Sequence, residues 1–270
     1  MLSRLSVLYC VAFLLTGCAA PETLLNREAE RLHLTRSVVQ GTDFQHLVYF
    51  HKTHDQDGEL HVYLDGDGSP WLRHRFVSGN PTPRNPLVLR LMAQDPALSV
   101  YLGRPCYFGF GARPPCSAML WTDQRYSNTV IDSMIAALRN IRHLLRSQKA
   151  VLIGFSGGGT LAMLMAERLE DVDGIVTIAG NLDPDAWTDR HHYAPLTGSE
   201  NPARHPPLPG SIFQLHLAGE KDTNVSPDLI RSALQRQPSP QLIVLPEADH
   251  DCCWEQPWPF ILKKIDAASP

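Results

Sequence analysis

The clearest absences in this 270-residue sequence concern apolar length and positive charge. Beyond the N-terminal segment, no apolar run is long enough to cross a bilayer. The 24 basic residues are outnumbered by 28 acidic ones, and this balance leaves no basic stripe for a nucleic acid. Internal repeats and low-complexity runs are also lacking. With 43% hydrophobic residues, the composition suits one α/β domain with a sizeable core.

Motifs for metal binding are missing as well. The sequence has neither a CxxC nor an HExxH spacing. Residues of ligand type do cluster in the string Asp249–Cys253 and at His51, His54 and His61. Successive side chains point in different directions, however, which makes a shared ion hard to arrange. We therefore expect no metal site and no cofactor.

The first residues are typical of an export signal. Arg4 supplies positive charge, and the apolar run at 5–15 is too short for a membrane span. The run ends in the string Leu15–Cys18, which resembles the bacterial lipoprotein signal. That resemblance implies lipid on Cys18 and a protein anchored to a membrane, facing the periplasm. Ala19 rather than Asp follows the cysteine, which favours the outer membrane. A secretory signal cleaved one or two residues later is the alternative.

Three segments are predicted along the chain. Residues 1–17 are the signal peptide, residues 18–42 are the lipidated cysteine with a tether, and residues 43–270 are the folded domain. Within the tether, Leu25, Ala29 and Leu32 recur at helical spacing and predict a short amphipathic helix.

Cysteine usage agrees with an oxidising compartment. Two of the six cysteines would be lost to the signal or to lipid, and four remain. Cys106 and Cys116 flank a Gly/Pro-rich string, and a disulfide between them could add roughly 2–3 kcal/mol of stability. Cys252 and Cys253 are adjacent, a strained geometry for mutual pairing, so free thiols and a vicinal bridge both stay open.

After the tether, short apolar runs alternate with amphipathic stretches. Strands are predicted at 44–51, 60–64, 98–102, 150–153, 174–179, 212–217 and 242–245, and helices at 86–93, 128–146, 157–169, 228–234 and 257–265. A turn around Asp57 and Gly58 joins the first two strands. The brief runs suit strands buried on both faces of a parallel, doubly wound sheet. Such sheets bind ligands outside the carboxyl ends of their strands.

The most informative motif follows the strand at 150–153. Gly154–Gly158 matches G-x-S-x-G in the strand–turn–helix setting that the motif requires. A nucleophile on a sharp turn clashes with bulky neighbours two residues away, which explains glycine at both positions. The following helix directs free N–H groups at Ser156 and favours negative charge there. An incidental serine in a glycine-rich turn is the alternative.

With this motif, the order of elements resembles the α/β-hydrolase family over residues 43–266. More narrowly, the chain is similar to proteobacterial α/β-hydrolase lipoproteins of undefined substrate. The strings that carry this likeness are Tyr63–Gly68, Gly103–Cys106, Gly180–Asp183 and Asp249–Cys252. The resemblance implies a mostly parallel, doubly wound sheet with helices on both faces and a small loop or cap segment.

The same resemblance predicts the partners of Ser156. A serine hydroxyl needs a general base oriented by a carboxylate, and in this family the chain order is Ser, acid, His. The string Gly219–Val225 resembles the family's acid loop, with Asp222 at the matching position. Asp183 and Asp185, after the preceding strand, are the runners-up. His250 follows the last strand and is the predicted base.

An oxyanion hole needs two preorganised N–H donors. The Gly157 amide is one candidate, and the Asp67 amide, in the loop after the strand at 60–64, is the other. This loop opens with Asp65 and Gly66 where the family more often has His-Gly. A carboxylate there would repel an oxyanion unless it were turned away or paired, for instance with Arg73 or Arg104.

We therefore expect a serine hydrolase that forms an acyl-enzyme, with a carboxylic ester favoured over a peptide bond or acyl transfer. The segment 187–209 is predicted to cap the site. Trp71, Tyr107, Phe108 and Trp187 are candidates for an acyl pocket, although core packing is the commoner role of aromatic residues. The rival hypothesis is a non-enzymatic binding lipoprotein, because folds do not fix function. Expected partners are a small-molecule or acyl substrate and, through Cys18, a membrane.

Overall fold

Short apolar runs and amphipathic stretches form the layers of this protein. The computed structural model describes residues 20–51, 59–73 and 75–268. The strands described are β1 Thr35–Gln40, β2 Gln45–His51, β3 Leu60–Leu64, β4 Trp71–Leu72, β5 Phe76–Val77, β6 Ser99–Leu102, β7 Ala150–Phe155, β8 Val172–Ile178, β9 Phe213–Gly219 and β10 Gln241–Leu245. The helices are α1 Pro21–Arg31, α2 Leu87–Met92, α3 Asn128–Leu145, α4 Gly157–Ala166, α5 Pro184–His191, α6 Pro227–Ala233 and α7 Trp258–Ala268.

Eight of these strands form one sheet in the order β1-β2-β6-β3-β7-β8-β9-β10. Strand β2 runs antiparallel to both of its neighbours, β1 and β6, and all other adjacent pairs in this sheet are parallel. From β3 the chain first moves to β6 on one side, then crosses to β7 on the other side and continues outward to β10. The predicted doubly wound, mostly parallel sheet is therefore confirmed. The order in which strands are added thus reverses at β3. The loops after β3, β6 and β7 lie side by side at this point, where such sheets bind ligands.

The middle of the sheet is the core. Every residue of β3 and β6 is buried, as the short apolar runs predicted. Helix α4 is buried along its whole length, because its glycines and small residues allow it to pack closely on the sheet. Helix α3 buries an apolar stripe at Val130, Met134, Leu138 and Ile141.

The N-terminal segment is more ordered than a tether. Helix α1 buries Leu25 and Ala29, as its apolar spacing predicted. The chain then forms β1, which pairs with β2 along its full length. Without β1, the edge of β2 would expose unpaired backbone donors and acceptors, which a natural sheet avoids. The folded domain thus includes residues from about 20 onward, ahead of the predicted start at residue 43.

Two further elements differ from the sequence prediction. Helix α5 lies in the segment after β8, and β4 and β5 form a separate two-stranded hairpin. The predicted turn at Asp57 and Gly58, together with His54 and Cys18, lies outside the described residues. In the part of the chain that is described, no helix has the length and apolar character to span a membrane. Within that same part, no three ligand-type side chains gather in a way that could hold a metal ion.

Two disulfides occur among the described cysteines. Cys106 is bonded to Cys116 across the Gly/Pro-rich loop, with 5.5 Å between the Cα atoms. Cys252 is bonded to its neighbour Cys253, which resolves the alternative left open by the sequence in favour of a vicinal bridge.

Candidate active site

Ser156 stands on a sharp turn between β7 and α4. Its backbone has φ 50° and ψ -120°, a left-handed conformation that non-glycine residues adopt only when their surroundings enforce it. The turn is held by the Ser156 amide, which donates to the Ile178 carbonyl at 2.9 Å, and by the Asn181 amide, which donates to the Ser156 carbonyl at 3.0 Å. These bonds tie the serine to the end of the adjacent strand β8.

Close backbone approach explains the glycines on either side of Ser156. A Cβ atom on Gly154 would overlap the Gly158 carbonyl, and one on Gly158 would overlap the Leu64 carbonyl at the end of β3. The two glycines therefore let the turn close and let α4 start against β3, as the motif predicted.

The structure brings Ser156, His250 and Asp222 together. The His250 Nε2 atom lies 3.1 Å from the Ser156 Oγ atom, and the His250 Nδ1 atom lies 2.8 Å from Asp222 Oδ2. Ser156 follows β7, Asp222 follows β9 and His250 follows β10, so all three stand at the carboxyl ends of parallel strands. The distances fall in the range of a nucleophile, a base and an orienting carboxylate.

The surroundings of Asp222 determine the proton position on His250. Asp222 Oδ1 accepts the amide protons of Asn224 and Val225, each at 2.8 Å, which leaves Oδ2 to face the imidazole. The Asp222 side chain is fully buried, whereas that of His250 is 17% exposed. Because a carboxylate can only accept, His250 Nδ1 carries a proton, and Nε2 is left free to accept the serine proton.

The runner-up acids have other partners. Asp183 caps α5 by accepting the Ala186 amide at 3.2 Å, and it also accepts from Asn201 at 2.8 Å. Asp185 forms an ion pair with Arg204 at 2.6 Å. Neither carboxylate is hydrogen-bonded to His250.

The predicted oxyanion loop lies beside the serine. Gly66 is so close that a Cβ atom on it would lie 3.2 Å from the Ser156 Cβ atom. The Asp67 side chain lies against Gly157, the first residue of α4. Both predicted donor residues, Gly157 and Asp67, therefore lie beside the nucleophile.

The Asp67 carboxylate is paired with two arginines. Asp67 Oδ1 accepts from Arg104, while Oδ2 accepts from Arg125 at 2.9 Å and from the Tyr126 hydroxyl at 2.7 Å. Burial opposes ionisation, but the charges of Arg125 and Arg104 and the bond from Tyr126 hold the pKa of Asp67 well below its ordinary value. Both oxygens of the Asp67 carboxylate are thus occupied by donors, and its charge is neutralised by the two guanidinium groups.

Asp65 is turned away from the nucleophile. Its carboxylate accepts the Gly66 amide at 2.8 Å and the Tyr101 hydroxyl at 3.0 Å. Burial raises the pKa of Asp65 to about 6, against the lowering effect of those two hydrogen bonds and of the Arg104 charge. Of the two partners suggested for a carboxylate in this loop, Arg104 binds Asp67, whereas Arg73 is exposed.

The aromatic candidates are distributed over several environments. Tyr107 and Phe108 are buried in the core, and the Tyr107 hydroxyl donates to the Asp67 carbonyl at 3.0 Å. Trp71 is exposed on β4. Trp187 donates to the Asn224 side chain at 3.1 Å and so borders the acid loop. Of the four, Trp187 has the contact nearest to the triad, and Tyr107 supports the oxyanion loop.

Several hydrogen bonds hold the segment 187–209 against the rest of the protein. His191 Nε2 lies 2.8 Å from the Asn224 carbonyl, two residues beyond Asp222. Farther along, the Glu200 amide donates to the Tyr126 carbonyl at 3.1 Å, just ahead of α3. The segment therefore runs from the acid loop to the neighbourhood of the Asp67 cluster, along the rim of the site.

Sequence reasoning missed Arg125 and Tyr126. Both lie in a loop without a recognisable motif, and their partner Asp67 is 58 and 59 residues away. Arg104 had a detectable signal, because it stands in the string that follows the strand at 98–102.

Comparisons with known proteins agree with this architecture. A family model described as alpha/beta hydrolase fold matches residues 100–196. A search of curated proteins found no match. Solved structures do match: an esterase from Pyrococcus furiosus has 14% sequence identity and a TM-score of 0.63, covering 89% of this chain and 92% of that chain.

Two further structures are similar. A homologue of alpha-beta serine hydrolases from Coxiella burnetii has 18% identity and a TM-score of 0.53, covering 86% of this chain and 95% of its own. A serine hydrolase from Xanthomonas campestris, described as lacking a lid, has 14% identity and a TM-score of 0.54, covering 87% and 93%. The chain thus has the α/β-hydrolase fold and resembles alpha/beta hydrolases, among which are serine hydrolases.

Proposed function

We propose that this protein is a serine hydrolase that cleaves a carboxylic ester through an acyl-enzyme. The observation that carries the proposal is the hydrogen-bonded chain from Asp222 through His250 to Ser156, with the serine on a strained turn. An imidazole, a buried carboxylate and a serine in this order form the arrangement that activates a hydroxyl nucleophile.

The proposed reaction uses only residues of this chain. Ser156 Oγ attacks the ester carbonyl while His250 Nε2 takes its proton, and Asp222 stabilises the imidazolium that forms. The Gly157 and Asp67 amides donate to the oxyanion, and Arg104 and Arg125 neutralise the Asp67 carboxylate, which would otherwise repel it. The alcohol leaves with the proton from His250, and water then attacks the acyl-enzyme by the same route in reverse.

An ester is favoured over the alternatives of a peptide bond or acyl transfer. Its alcohol leaves more readily than an amine, so the triad and two amide donors suffice. The esterase from Pyrococcus furiosus, which shares the fold, is consistent with this choice. A binding protein without activity is less well supported, because it would not need a serine, a base and an acid in hydrogen-bond contact.

Labelling by a fluorophosphonate probe tests the nucleophile directly. We expect wild type and Ser232→Ala, which changes an exposed serine on α6, to be labelled, and Ser156→Ala to be silent. With p-nitrophenyl esters of graded chain length, Ser156→Ala should lose about 10³-fold or more in kcat. Undiminished hydrolysis by Ser156→Ala would contradict the mechanism, and an unlabelled wild type would favour a binding role.

We also infer that the protein is exported and anchored by lipid on Cys18, facing the periplasm from the outer membrane. The support is the string Leu15–Cys18 directly after the short apolar run. Several acyl chains would hold the protein firmly, since each buried CH₂ contributes about 0.8 kcal/mol. Radiolabelled palmitate should be incorporated by wild type and by Cys10→Ser but not by Cys18→Ser. Equal incorporation by Cys18→Ser would exclude this site.

A further inference from the structure

The hairpin of β4 and β5 exposes large apolar side chains on both of its faces. Trp71, Leu72, Phe76 and Val77 are 44%, 42%, 60% and 43% exposed. Adjacent residues of a strand point to opposite faces, so exposure of both Trp71 and Leu72 means that neither face is fully covered. The hairpin therefore leaves about half of the surface of each of these side chains accessible to a partner.

The base of the hairpin is firmly held. The Ser69 amide donates to the Pro81 carbonyl at 2.8 Å, and the Ser78 amide donates to the Pro70 carbonyl at 2.9 Å. The buried Trp121 indole donates to the Ser78 carbonyl at 3.0 Å. An anchored base and exposed apolar side chains on both strands distinguish this element from a loosely packed loop, and large exposed apolar patches mark interaction sites.

Positive charge surrounds the apolar side chains. Arg73 and Arg75 are exposed on the connection between the strands, and the Arg75 guanidinium lies 5.7 Å from the centre of the Phe76 ring. From residue 68 to residue 94 the sequence contains four arginines but no aspartate or glutamate, and one of the four, Arg90, is paired with Glu255. In a chain with net charge -4, this stretch is complementary to an anionic surface.

The N-terminus of α1 lies beside the hairpin. The Asn80 side-chain amide donates to Glu22 Oε2 at 2.6 Å, and Glu22 is in the first turn of α1. Asn80 is three residues beyond Val77, a separation of about 10 Å or less. Cys18 stands two residues ahead of Ala20 in the sequence, so only a short stretch of chain separates a lipid on Cys18 from α1. A lipid on Cys18 would thus hold the hairpin close to the membrane surface.

We propose that the hairpin of β4 and β5 inserts into the surface of a bilayer that contains anionic phospholipids. The hairpin would enter end on, so that the side chains of both faces, Trp71 with Val77 and Leu72 with Phe76, reach the boundary between head groups and acyl chains. Arg73 and Arg75, at its tip, would extend their guanidinium groups back to the head-group phosphates. Membrane docking is measured without turnover and stands or falls separately from the proposed hydrolysis.

Quenching of tryptophan fluorescence by brominated lipids tests the proposal. The mature protein is mixed with vesicles of 3:1 phosphatidylcholine and phosphatidylglycerol that carry bromine on their acyl chains. Trp121, Trp254 and Trp258 are buried, and Trp187 is partly buried beside the acid loop. The quenched emission should therefore come from Trp71, disappear in Trp71→Phe and persist in Trp187→Phe. Ser156→Ala should be quenched like wild type, which separates docking from catalysis.

A matched pair of phenylalanines provides the decisive control. Phe260 on α7 is 58% exposed with Lys264 Nζ 5.1 Å from its ring centre, close to the situation of Phe76 and Arg75. Phe76→Ser should reduce the population with an inserted hairpin about tenfold, because burial of this side chain is lost. Phe260→Ser should leave quenching unchanged.

The contribution of the arginine charges to insertion is measured separately. In vesicles with phosphatidylglycerol, Arg75→Gln should weaken insertion about fivefold, and in pure phosphatidylcholine it should have little effect. Equal quenching in Phe76→Ser and wild type, or unquenched Trp71 in wild type, would overturn the proposal. A dimer in sedimentation velocity that Phe76→Ser dissociates, without vesicle binding, would assign the hairpin to a second copy instead.

Discussion

Two imidazole–carboxylate pairs occupy opposite ends of the parallel strands. At the carboxyl ends, His250 Nδ1 lies 2.8 Å from Asp222, and at the amino end of β3, His61 Nδ1 lies 2.6 Å from Asp95. Both aspartates are nearly or fully buried. The two histidine–aspartate distances and the burial of the two aspartates are nearly the same. Only the pair of His250 and Asp222, however, adjoins a nucleophile, Ser156.

The group facing the second nitrogen makes the difference. His250 Nε2 faces the neutral hydroxyl of Ser156, whereas His61 Nε2 faces Glu59 Oε2 at 3.8 Å. Burial alone would lower the pKa of His61, but the hydrogen bonds to Asp95 and Glu59 raise it to about 9. His61 therefore remains protonated near neutral pH and cannot act as a base. A histidine beside a carboxylate is a catalytic candidate only when its other nitrogen is free to accept a proton.

Removal of the His250 imidazole should have the largest effect on activity of all the substitutions considered. We expect His250→Ala to lower kcat/KM for an ester about 10³- to 10⁴-fold, because Ser156 loses its proton acceptor. The melting temperature should change little, since the side chain is partly exposed. His143→Ala, on the exposed face of α3, should retain full activity. Comparable activity in both variants would remove His250 from the mechanism.

Substitution of the two candidate acids separates Asp222 from its runner-up. Asp222→Asn should lower kcat about 10²- to 10⁴-fold, because the amide can turn its NH₂ toward His250 and favour the wrong tautomer. Asp183→Asn keeps an oxygen that can cap α5 and should retain activity within about twofold. Initial rates of the two variants with one ester measure this difference. A larger loss of activity in Asp183→Asn than in Asp222→Asn would assign the acid role to Asp183.

The buried pair at the other end should affect stability instead. Asp95→Asn leaves the His61 imidazolium without its carboxylate, and we expect a loss of about 3–5 kcal/mol in the free energy of unfolding. Activity per folded molecule should stay unchanged. As a control, Asp228→Asn removes an exposed ion pair with Arg231 and should cost less than about 1 kcal/mol. Urea titrations measure both values, and equal losses would contradict the role assigned to Asp95.

The raised pKa of His61 also predicts a pH dependence of stability. Its folded pKa of about 9 lies above the unfolded value of 6.5, so its contribution is complete below pH 6.5 and is lost as the pH rises through 9. The loss should amount to roughly 3 kcal/mol. His61→Gln should show a correspondingly flatter decline of unfolding free energy between pH 6.5 and 9.5. Identical pH profiles would show that His61 is not the group responsible.

Much of the site was predictable because its signals are local. The G-x-S-x-G string, the Gly219–Val225 loop and a histidine after the last strand are each readable within a few residues of a strand end. In a parallel sheet those ends share one edge, and the distances among Ser156, Asp222 and His250 agree with that expectation. The strand boundaries were close for the same reason, since brief apolar runs have few alternatives to a buried strand.

What the sequence alone determined, then, is which residues follow which strands and the chemistry they carry. Tertiary structure alone decided that Asp67 pairs with Arg104 and Arg125, 37 and 58 residues away, and that α1 and β1 cover the sheet edge. It also decided that β4 and β5 remain uncovered. These outcomes depend on packing between distant segments, and two-residue strands or a lone arginine leave no periodic pattern along the chain from which such contacts could be predicted.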